Sequence, residues 1–367
     1  MSVSISTIKL QEAVSKAIKG VGNNKLIPIT SLMCVEVKNS ELTLVTTDAT
    51  NYLYVKETVN SDDFYAVIDA NTFAKLISKM TCENVIFNIS SMGVLEVKGN
   101  GTYKIELPLD EDGQPIKYPD PVANLKLSGD TSAGVINRST LQVILDTIQP
   151  ALADTLEIPC YTGYYMGNTV VATDTYKIAN MDLQLFGEAK LVSREFINLA
   201  SVFTEENIDV NIVDDTIVYS TKNCILYGKF MEGIEDFAID AIMGLVQSEF
   251  NSVCAIAKND LVQLLDRLML FVSPYDKNGV YLTFTNTGLQ VSSKSASGVE
   301  ILNYVSSSNF KEYTCAVDIQ MLVDEVKSIQ NDVIEIHYGD DSDSAIKFTD
   351  GNITIIIALL EDERVEG

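Results

Sequence analysis

The sequence has no tryptophan and a single histidine among its 367 residues. That histidine, His337, lies in an alternating stretch, residues 333–338, of the kind typical of a β-strand. A strand histidine leaves most Ser-His-Asp, Cys-His and multi-histidine metal mechanisms without their central residue. No phosphate-binding loop is present either, since Gly99-Asn100-Gly101 is typical only of a hairpin turn. We therefore expect a protein that is not an enzyme and that holds no metal or cofactor.

Cysteines are few, and apolar runs are short. The six cysteines form no Cys-x-x-Cys pair, and they are Cys34, Cys82, Cys160, Cys224, Cys254 and Cys315. This spacing favours buried thiols in a reducing compartment over a disulfide framework or a zinc site. No apolar run approaches the ~20 residues that span a bilayer. The N-terminus shows no basic segment followed by an apolar core. We expect a cytoplasmic protein without a membrane partner.

Basic residues are scarce, because 26 Lys and Arg face 51 Asp and Glu, for a formal charge of −25. This balance argues against a simple basic nucleic-acid binder, which needs an excess of cations where the phosphate backbone lies. The hydrophobic share of 46%, with 16 Tyr and 13 Phe, is typical of a folded globular protein and not of an acidic disordered tail.

Helical patterns recur at a fixed step along the chain. Six segments place apolar residues at i, i+3, i+4 and i+7, the spacing of one helix face. They are Leu10/Ala13/Val14/Ala17, Phe73/Leu76/Ile77/Met80, Leu141/Ile144/Leu145/Ile148, Phe196/Leu199/Ala200/Phe203, Leu261/Leu264/Leu265/Leu268 and Ile319/Leu322/Val323/Val326. Every second segment begins at residue 73, 196 or 319, a step of 123 residues, which is about one third of the chain. A constant step of this size indicates three repeated units.

Strand patterns recur between the helices. After the first helix of each unit, strand-turn-strand signals cover residues 33–45, 161–173 and 280–292. After the second helix, a polar pair opens another alternating region, and these pairs are Glu83-Asn84, Glu206-Asn207 and Asn331-Asp332. A sheet buries one face and a helix buries one stripe, so two helices pack on the sheets of each unit. We predict an α+β protein of three repeated domains, 1–122, 123–250 and 251–367, with antiparallel sheets.

Basic residues concentrate on the helices of the first unit. Residues 1–120 carry 11 basic and 15 acidic groups, against 7 and 17 in residues 121–248 and 8 and 19 in residues 249–367. Lys9, Lys16 and Lys19 lie opposite the apolar stripe of the first helix. Any one such face is typical of an ordinary solvated surface, but its recurrence on several helices favours a function.

The chain resembles the bacterial DNA polymerase III beta subunit, the sliding clamp, over essentially its whole length. Leu26-Ile27-Pro28-Ile29, Leu42-Thr43-Leu44 and Thr47-Asp48 are similar to the family's first-domain pattern. Residues 172–179, Ala-Thr-Asp-Thr-Tyr-Lys-Ile-Ala, resemble the second-domain signature Ala-Thr-Asp-Gly/Ser-His-Arg-Leu-Ala. The number of repeated units, three, is the same as in that family.

The resemblance implies a DNA clamp fold, in which each chain supplies three domains, half of a six-domain ring. Twelve helices would line the hole of a head-to-tail homodimer, and double-stranded DNA would pass through it without base-specific contacts. The partners implied are a DNA polymerase and a clamp loader, both bound through short hydrophobic peptides, and the clamp itself would catalyse nothing. The alternatives are a diverged or phage-type clamp, or a scaffold that kept the ring and lost DNA binding.

The resemblance and the charge pattern together give three sets of candidate residues. The DNA-binding set is Lys9, Lys16, Lys19, Lys25, Lys75, Lys79, Arg138, Arg194 and Arg267. The partner-peptide pocket is Tyr161, Thr173, Thr175, Tyr176, Lys177, Ile178, Ile356, Ala358, Leu359 and Leu360. The dimer-interface set is Tyr103, Ile105, Phe271 and Val272. The alternative for the pocket is a turn and an edge strand with core contacts, and for Phe271 it is core burial.

Two departures from the family pattern fall in the pocket. Tyr176-Lys177 replaces the family's His-Arg, and Ala358-Leu359-Leu360 followed by an acidic tail replaces its Met-Pro-Met ending. We expect an apolar groove with an altered peptide preference.

Overall fold

The computed structural model describes residues 2–59, 63–90, 93–125, 131–250, 252–339 and 345–361. The chain forms two compact units. Unit 1 contains Met1–Leu141 and Glu195–Phe230, and unit 2 contains Gln142–Arg194 and Met231–Gly367.

The elements follow one order three times. The first series is β1 (Ser2–Ser6), α1 (Thr7–Ala17), β2 (Leu32–Lys38), β3 (Glu41–Thr47), β4 (Tyr52–Thr58), β5 (Phe64–Asp69), α2 (Ala70–Ser78), β6 (Asn84–Ile89), β7 (Val94–Lys98) and β8 (Thr102–Glu106). The second is β9 (Ser132–Asn137), α3 (Arg138–Val143), β10 (Gly163–Met166), β11 (Val170–Thr173), β12 (Lys177–Met181), β13 (Lys190–Ser193), α4 (Arg194–Ala200), β14 (Asn207–Val213), β15 (Thr216–Ser220) and β16 (Cys224–Lys229).

A connecting helix, α5 (Ile239–Gln247), precedes the third series. That series is β17 (Ser252–Ala257), α6 (Lys258–Leu268), β18 (Gly279–Phe284), β19 (Leu289–Ser293), β20 (Val299–Leu302), β21 (Ser306–Ser308), β22 (Tyr313–Asp318), α7 (Ile319–Ser328), β23 (Val333–Tyr338), β24 (Ala345–Asp350) and β25 (Ile353–Ala358). Apart from the additional three-residue strand β21, each series reads strand, helix, four strands, helix, three strands. The predicted α+β class and its threefold repeat are confirmed.

The predicted helix stripes are the buried faces of six helices. In α1, Leu10, Ala13, Val14 and Ala17 are all buried. The third predicted helix is α3, which continues as a π-helical turn over Ile144–Ile148. Two predicted segments run past the helix ends, because α2 ends at Ser78 and α4 at Ala200. The sequence analysis missed α5, although Ile239, Ile242, Met243 and Val246 have the same spacing.

The hairpin turns also form where they were predicted. At the turn between β2 and β3, Asn39 and Ser40 have φ values of 52° and 63°. Two successive positive φ angles are the signature of a type I′ turn, whose twist matches that of the flanking strands.

The described residues form four sheets, and two of these sheets join strands of different repeats. In unit 1 the eight-stranded order is β5-β2-β3-β4-β16-β15-β14-β9, where β4 pairs antiparallel with β16. In unit 2 the nine-stranded order is β13-β10-β11-β12-β25-β24-β23-β17-β21, where β12 pairs antiparallel with β25. The remaining sheets are four-stranded, β1-β6-β7-β8 in unit 1 and β20-β19-β18-β22 in unit 2.

Candidate functional site: cations, an apolar cluster and two sheet edges

The first-repeat cations are exposed. Lys9 and Lys19 project from α1 and the turn after it, and Lys75 and Lys79 lie on and just after α2. In the described ranges, no carboxylate lies within ion-pair distance of these four lysines. Their charge is therefore available to a ligand in solution.

Lys25 lies in an exposed turn held by its own backbone. The Asn24 side-chain oxygen accepts from the Leu26 amide at 3.0 Å, and the Ile27 amide donates to the Asn24 carbonyl at 3.0 Å. Lys16 is half-buried, and its Nζ donates to Thr204 Oγ1 at 3.1 Å. Unit 1 also presents Arg138, exposed at the start of α3.

Two of the predicted DNA-binding arginines are neutralised by carboxylates. Arg194 Nη1 lies 2.8 Å from Asp154 Oδ1, and its Nη2 donates to the Ala153 carbonyl at 3.0 Å. Arg267 binds Glu300 in a bidentate pair, with Nε to Oε1 at 2.9 Å and Nη2 to Oε2 at 2.5 Å. The hydrogen bonds from Arg267 lower the pKa of the Glu300 carboxyl. Since Glu300 lies on β20, the pair places Arg267 against a sheet edge.

Other third-repeat cations are also engaged. Lys327 Nζ lies 3.0 Å from Asp266 Oδ1. Lys258 Nζ donates to the carbonyls of Lys327 and Ile329 at the end of α7, where carbonyls lack helical partners. The side chains of Lys258, Arg267 and Lys327 are therefore all engaged within unit 2.

The predicted peptide pocket divides into a buried part and a rim. Tyr161, Ile178 and Ile356 are only 8%, 7% and 3% exposed. They belong to what we call the apolar cluster, which consists of Cys160, Tyr161, Val171, Ile178, Leu191, Phe237, Ile242, Ala345 and Ile356. Ile239, Met243 and Val246 of α5 pack against it. The buried part of the predicted pocket is thus covered by a helix that the sequence analysis missed.

The rim is the turn between β11 and β12 with the segment that follows β25. Asp174 Oδ1 accepts from the amides of Tyr176 and Lys177 at 2.9 and 2.7 Å. Thr173 is buried and its Oγ1 accepts from the Thr175 amide at 3.1 Å. Thr175 has a positive φ of 80°. This turn presents Tyr176, which is 61% exposed.

The C-terminal part of the rim, residues 358–360, forms backbone hydrogen bonds with the β11–β12 turn and with β22. The Ala358 amide donates to the Tyr176 carbonyl at 2.8 Å, and the Leu360 amide donates to the Ala316 carbonyl of β22 at 2.8 Å. Ala358, Leu359 and Leu360 are half-buried. Backbone hydrogen bonds therefore join this segment to the β11–β12 turn and to β22.

Lys177 has a structural role in this region. Its Nζ lies 3.3 Å from Glu325 Oε1 and 3.7 Å from Asp174 Oδ2, and it donates to the Pro150 carbonyl at 2.5 Å. Glu325 is fully buried on α7. Burial raises the pKa of the Glu325 carboxyl to about 7, and Lys177 opposes that rise. The Lys177 ammonium is engaged inside unit 2 and does not project from the rim.

Two edge strands carry exposed apolar residues. On β8 Tyr103 is 39% exposed, whereas Ile105 is nearly buried. On β20 the sequence analysis missed Val299 and Ile301, which are 51% and 61% exposed. Val299 and Ile301 are separated by one residue, and this alternation is a strand pattern from which they could have been predicted.

Apolar residues that follow the end of α6 are also exposed. Leu270 and Phe271 are 80% and 49% exposed, and Val272 is half-buried. The core burial considered for Phe271 does not occur. In the described part of the chain, no helix is long and apolar enough to cross a membrane.

The repeated order and the shared sheets define a class, a three-repeat clamp fold. Solved structures share it. The beta subunit of the Streptococcus pyogenes DNA polymerase superposes with a TM-score of 0.86 at 18% identity, over 99% of this chain and 100% of that one. The DNA polymerase sliding clamp from Bacillus subtilis gives 0.85 at 16%, over 99% of each. The DNA polymerase III beta subunit from Thermotoga maritima gives 0.83 at 17%, over 98% and 99%.

A match in sequence covers a shorter part of the chain. Residues 1–112 match the family model of the DNA polymerase III beta subunit, N-terminal domain. No curated protein has a matching sequence. The resemblance to bacterial DNA polymerase III beta subunits is confirmed, in sequence for the first repeat and in fold for the whole chain.

Proposed function

We propose that the protein is a DNA sliding clamp that closes as a homodimer around duplex DNA and tethers a replicative DNA polymerase. The observation that carries the proposal is the threefold order of elements, which leaves β8 and β20 at sheet edges. A clamp makes and breaks no bond, so the protein would act as an accessory subunit and not as an enzyme. It would act in the cytoplasm. Its domains are 1–122, 123–250 and 251–367.

Ring closure follows from the strand order. Two repeats share a sheet by one rule. The first repeat supplies the third strand after its first helix, and the next repeat supplies the third strand after its second helix. This rule pairs β4 with β16 and β12 with β25. The strands left over by this rule are β20 and β8, and both lie at sheet edges. Pairing of β20 with β8 of a second copy is a head-to-tail contact that closes after two copies.

The dimer interface would cover the apolar residues at these edges. Tyr103 and Ile105 lie on β8, and Val299 and Ile301 lie on β20. Leu270, Phe271 and Val272 follow the end of α6, the helix that contacts β20. Val299→Lys would bury a charge in that contact, so a micromolar solution should contain monomers by light scattering. Val333→Lys is the matched control, because Val333 is 43% exposed on a central strand. A wild-type monomer, or a dimer that survives Val299→Lys, contradicts this interface.

The unpaired lysines of unit 1 would attract the DNA backbone. Lys9, Lys19, Lys25, Lys75 and Lys79 can approach phosphates without specifying a sequence, which suits a protein that slides. Attraction can remain weak, since a closed ring retains DNA by topology. The acidic remainder of the surface would repel DNA from other faces.

Loading onto a nicked circular plasmid tests this function, because a topologically bound ring is released when the plasmid is linearised. Lys25→Ala should reduce the slope of log affinity against log salt by about 0.9, the value for one phosphate contact. Lys56→Ala is the control, since Lys56 is already paired with Glu41 at 3.0 Å. Retention on linear DNA equal to that on circles would refute the clamp.

The partner peptide would dock at the rim formed by Thr175, Tyr176, Ala358, Leu359 and Leu360. Tyr176→Ala should weaken binding of a hydrophobic polymerase or clamp-loader peptide about tenfold, as expected for an exposed aromatic anchor. Tyr275→Ala is the control, because Tyr275 is 99% exposed elsewhere in unit 2. Equal losses in both variants would count against the rim.

A diverged or phage-type clamp, or a scaffold without DNA, is the second candidate. The pairing of Arg267 with Glu300 and of Lys327 with Asp266 favours it, because it removes cations from the third repeat. A dimer that never loads onto the nicked plasmid would identify the scaffold.

A further inference from the structure

We propose that α5 is a lid over the apolar cluster, and that a hydrophobic peptide reaches the cluster only when α5 detaches. The identity of the peptide rests on the proposed function. The opening of α5 is a separate property of unit 2, and it has its own measurement.

The apolar cluster is closed. Ile178 and Ile356 lie on the strands beneath and Tyr161 lies in the turn just before β10, and each is less than a tenth exposed. Ile242 of α5 is buried among them, and Ile239, Met243 and Val246 cover the periphery. A peptide that places apolar side chains on these strands has to take the position of α5.

α5 is a weak helix. It has only nine residues, Ala238 gives it no side-chain cap, and Ile242 is its one fully buried residue. Gly244 in its middle disfavours the helix. A helix this short has little stability of its own. A cavity of about 510 Å³, lined in part by Ile239, Met243 and Val246, leaves one flank of α5 unpacked.

Both ends of α5 are anchored. Before it, the Phe237 ring packs edge-on against Tyr161, with centroids 5.2 Å apart. At its C-terminal end, Lys347 Nζ donates to the carbonyls of Val246, in the last turn of α5, and of Ser248, just after it, at 3.3 and 2.7 Å, and lies 5.0 Å from the Phe250 ring centroid. Detachment of α5 therefore has to break the longer bond to Val246, while Phe237 and Ser248 hold the chain on either side.

A native thiol reports the opening. Cys160 belongs to the cluster and is buried, while Cys254 and Cys315 are buried in unit 2 outside it. Site-resolved labelling with N-ethylmaleimide, read by mass spectrometry, measures each cysteine separately. When opening is faster than labelling, the rate at Cys160 follows the population of the open state.

Two substitutions shift the opening in opposite directions. A methyl group added at Gly244 would meet nothing within 4 Å, so Gly244→Ala should favour the helix and slow Cys160 labelling about fourfold. Lys347→Met removes both hydrogen bonds at the end of α5 and should accelerate Cys160 labelling several-fold. Labelling of Cys254 and Cys315 should stay unchanged in Gly244→Ala.

Peptide binding completes the test. A fluorescein-labelled decapeptide with adjacent Leu and Phe serves as the probe, and its anisotropy gives the affinity. Because apparent affinity scales with the open fraction, Gly244→Ala should weaken binding by the same fourfold factor.

Three outcomes separate the proposals. Equal peptide affinity in wild type and Gly244→Ala overturns the lid, since binding then needs no opening. Cys160 labelling that ignores Gly244→Ala overturns it as well. If no variant binds the peptide while Cys160 labelling slows as expected, the lid motion is supported and the partner pocket of the proposed function is refuted.

Discussion

Replacing Glu325 by glutamine should flatten the pH dependence of stability. In the folded protein, burial raises the pKa of this carboxyl from 4.5 to about 7. The folded state then binds a proton more tightly than the unfolded state does. The stabilisation from this proton is complete below pH 4.5 and is lost as the pH rises through 7.

The magnitude follows from the two pKa values. Their difference of about 2.5 corresponds to about 3 kcal/mol over the whole titration. Between pH 5 and pH 8, which avoids precipitation near the pI of about 4.3, the change is on the order of 2 to 3 kcal/mol. The glutamine side chain cannot titrate, and Lys177 keeps Asp174 and the Pro150 carbonyl as partners in the variant.

The measurement is urea denaturation of both proteins at several pH values, followed by far-UV circular dichroism. The difference in unfolding free energy, wild type minus Glu325→Gln, should fall by on the order of 2 to 3 kcal/mol from pH 5 to pH 8. Other carboxylates cancel in that difference. Lys177→Met should move the midpoint of the wild-type decline to higher pH, because it removes the opposing charge. Parallel curves for wild type and Glu325→Gln would refute the reasoning.

Two further substitutions test local structure. Asp69 caps α2, with its Oδ1 accepting from the Thr72 amide at 2.8 Å. Asp69→Ala should therefore cost about 1 kcal/mol in thermal unfolding, and Asp69→Asn should restore most of it. A Cβ at Gly288 would lie 2.1 Å from the Leu302 carbonyl oxygen, so Gly288→Ala should cost about 2 kcal/mol and loosen β20. Gly187→Ala, with open space around it, should be neutral, and an equal loss there would contradict the steric argument.

The helices and hairpins could be predicted from the sequence because their signals are local. Leu10, Ala13, Val14 and Ala17 share one face of α1 through the geometry of 3.6 residues per turn. Asn39 and Ser40 tolerate the positive φ angles that a type I′ turn requires. The missed helix α5 carries the same periodicity, but it stands outside the repeat on which the search relied.

Candidate residues were predicted less well, because the environment of a charge is not local. The sequence placed Arg267, in a helical segment, and Lys25, in the loop after the first helix, in the same DNA-binding set. The structure pairs Arg267 with Glu300 and leaves Lys25 in an exposed turn. In the same way, Lys177 matches a pocket signature, yet its ammonium is held by Glu325 on a distant helix.

The sequence by itself determined the three repeats, their helix stripes and turns, and the total charge, since periodicity and composition need only neighbouring residues. Only the tertiary structure decided which sheets cross repeat boundaries, which strands keep free edges, and that α5 covers the apolar cluster. Pairing of β4 with β16, or of β12 with β25, joins strands far apart in the chain. Any antiparallel strand of suitable pattern satisfies the same hydrogen bonds, so the choice of partner depends on how the whole chain packs.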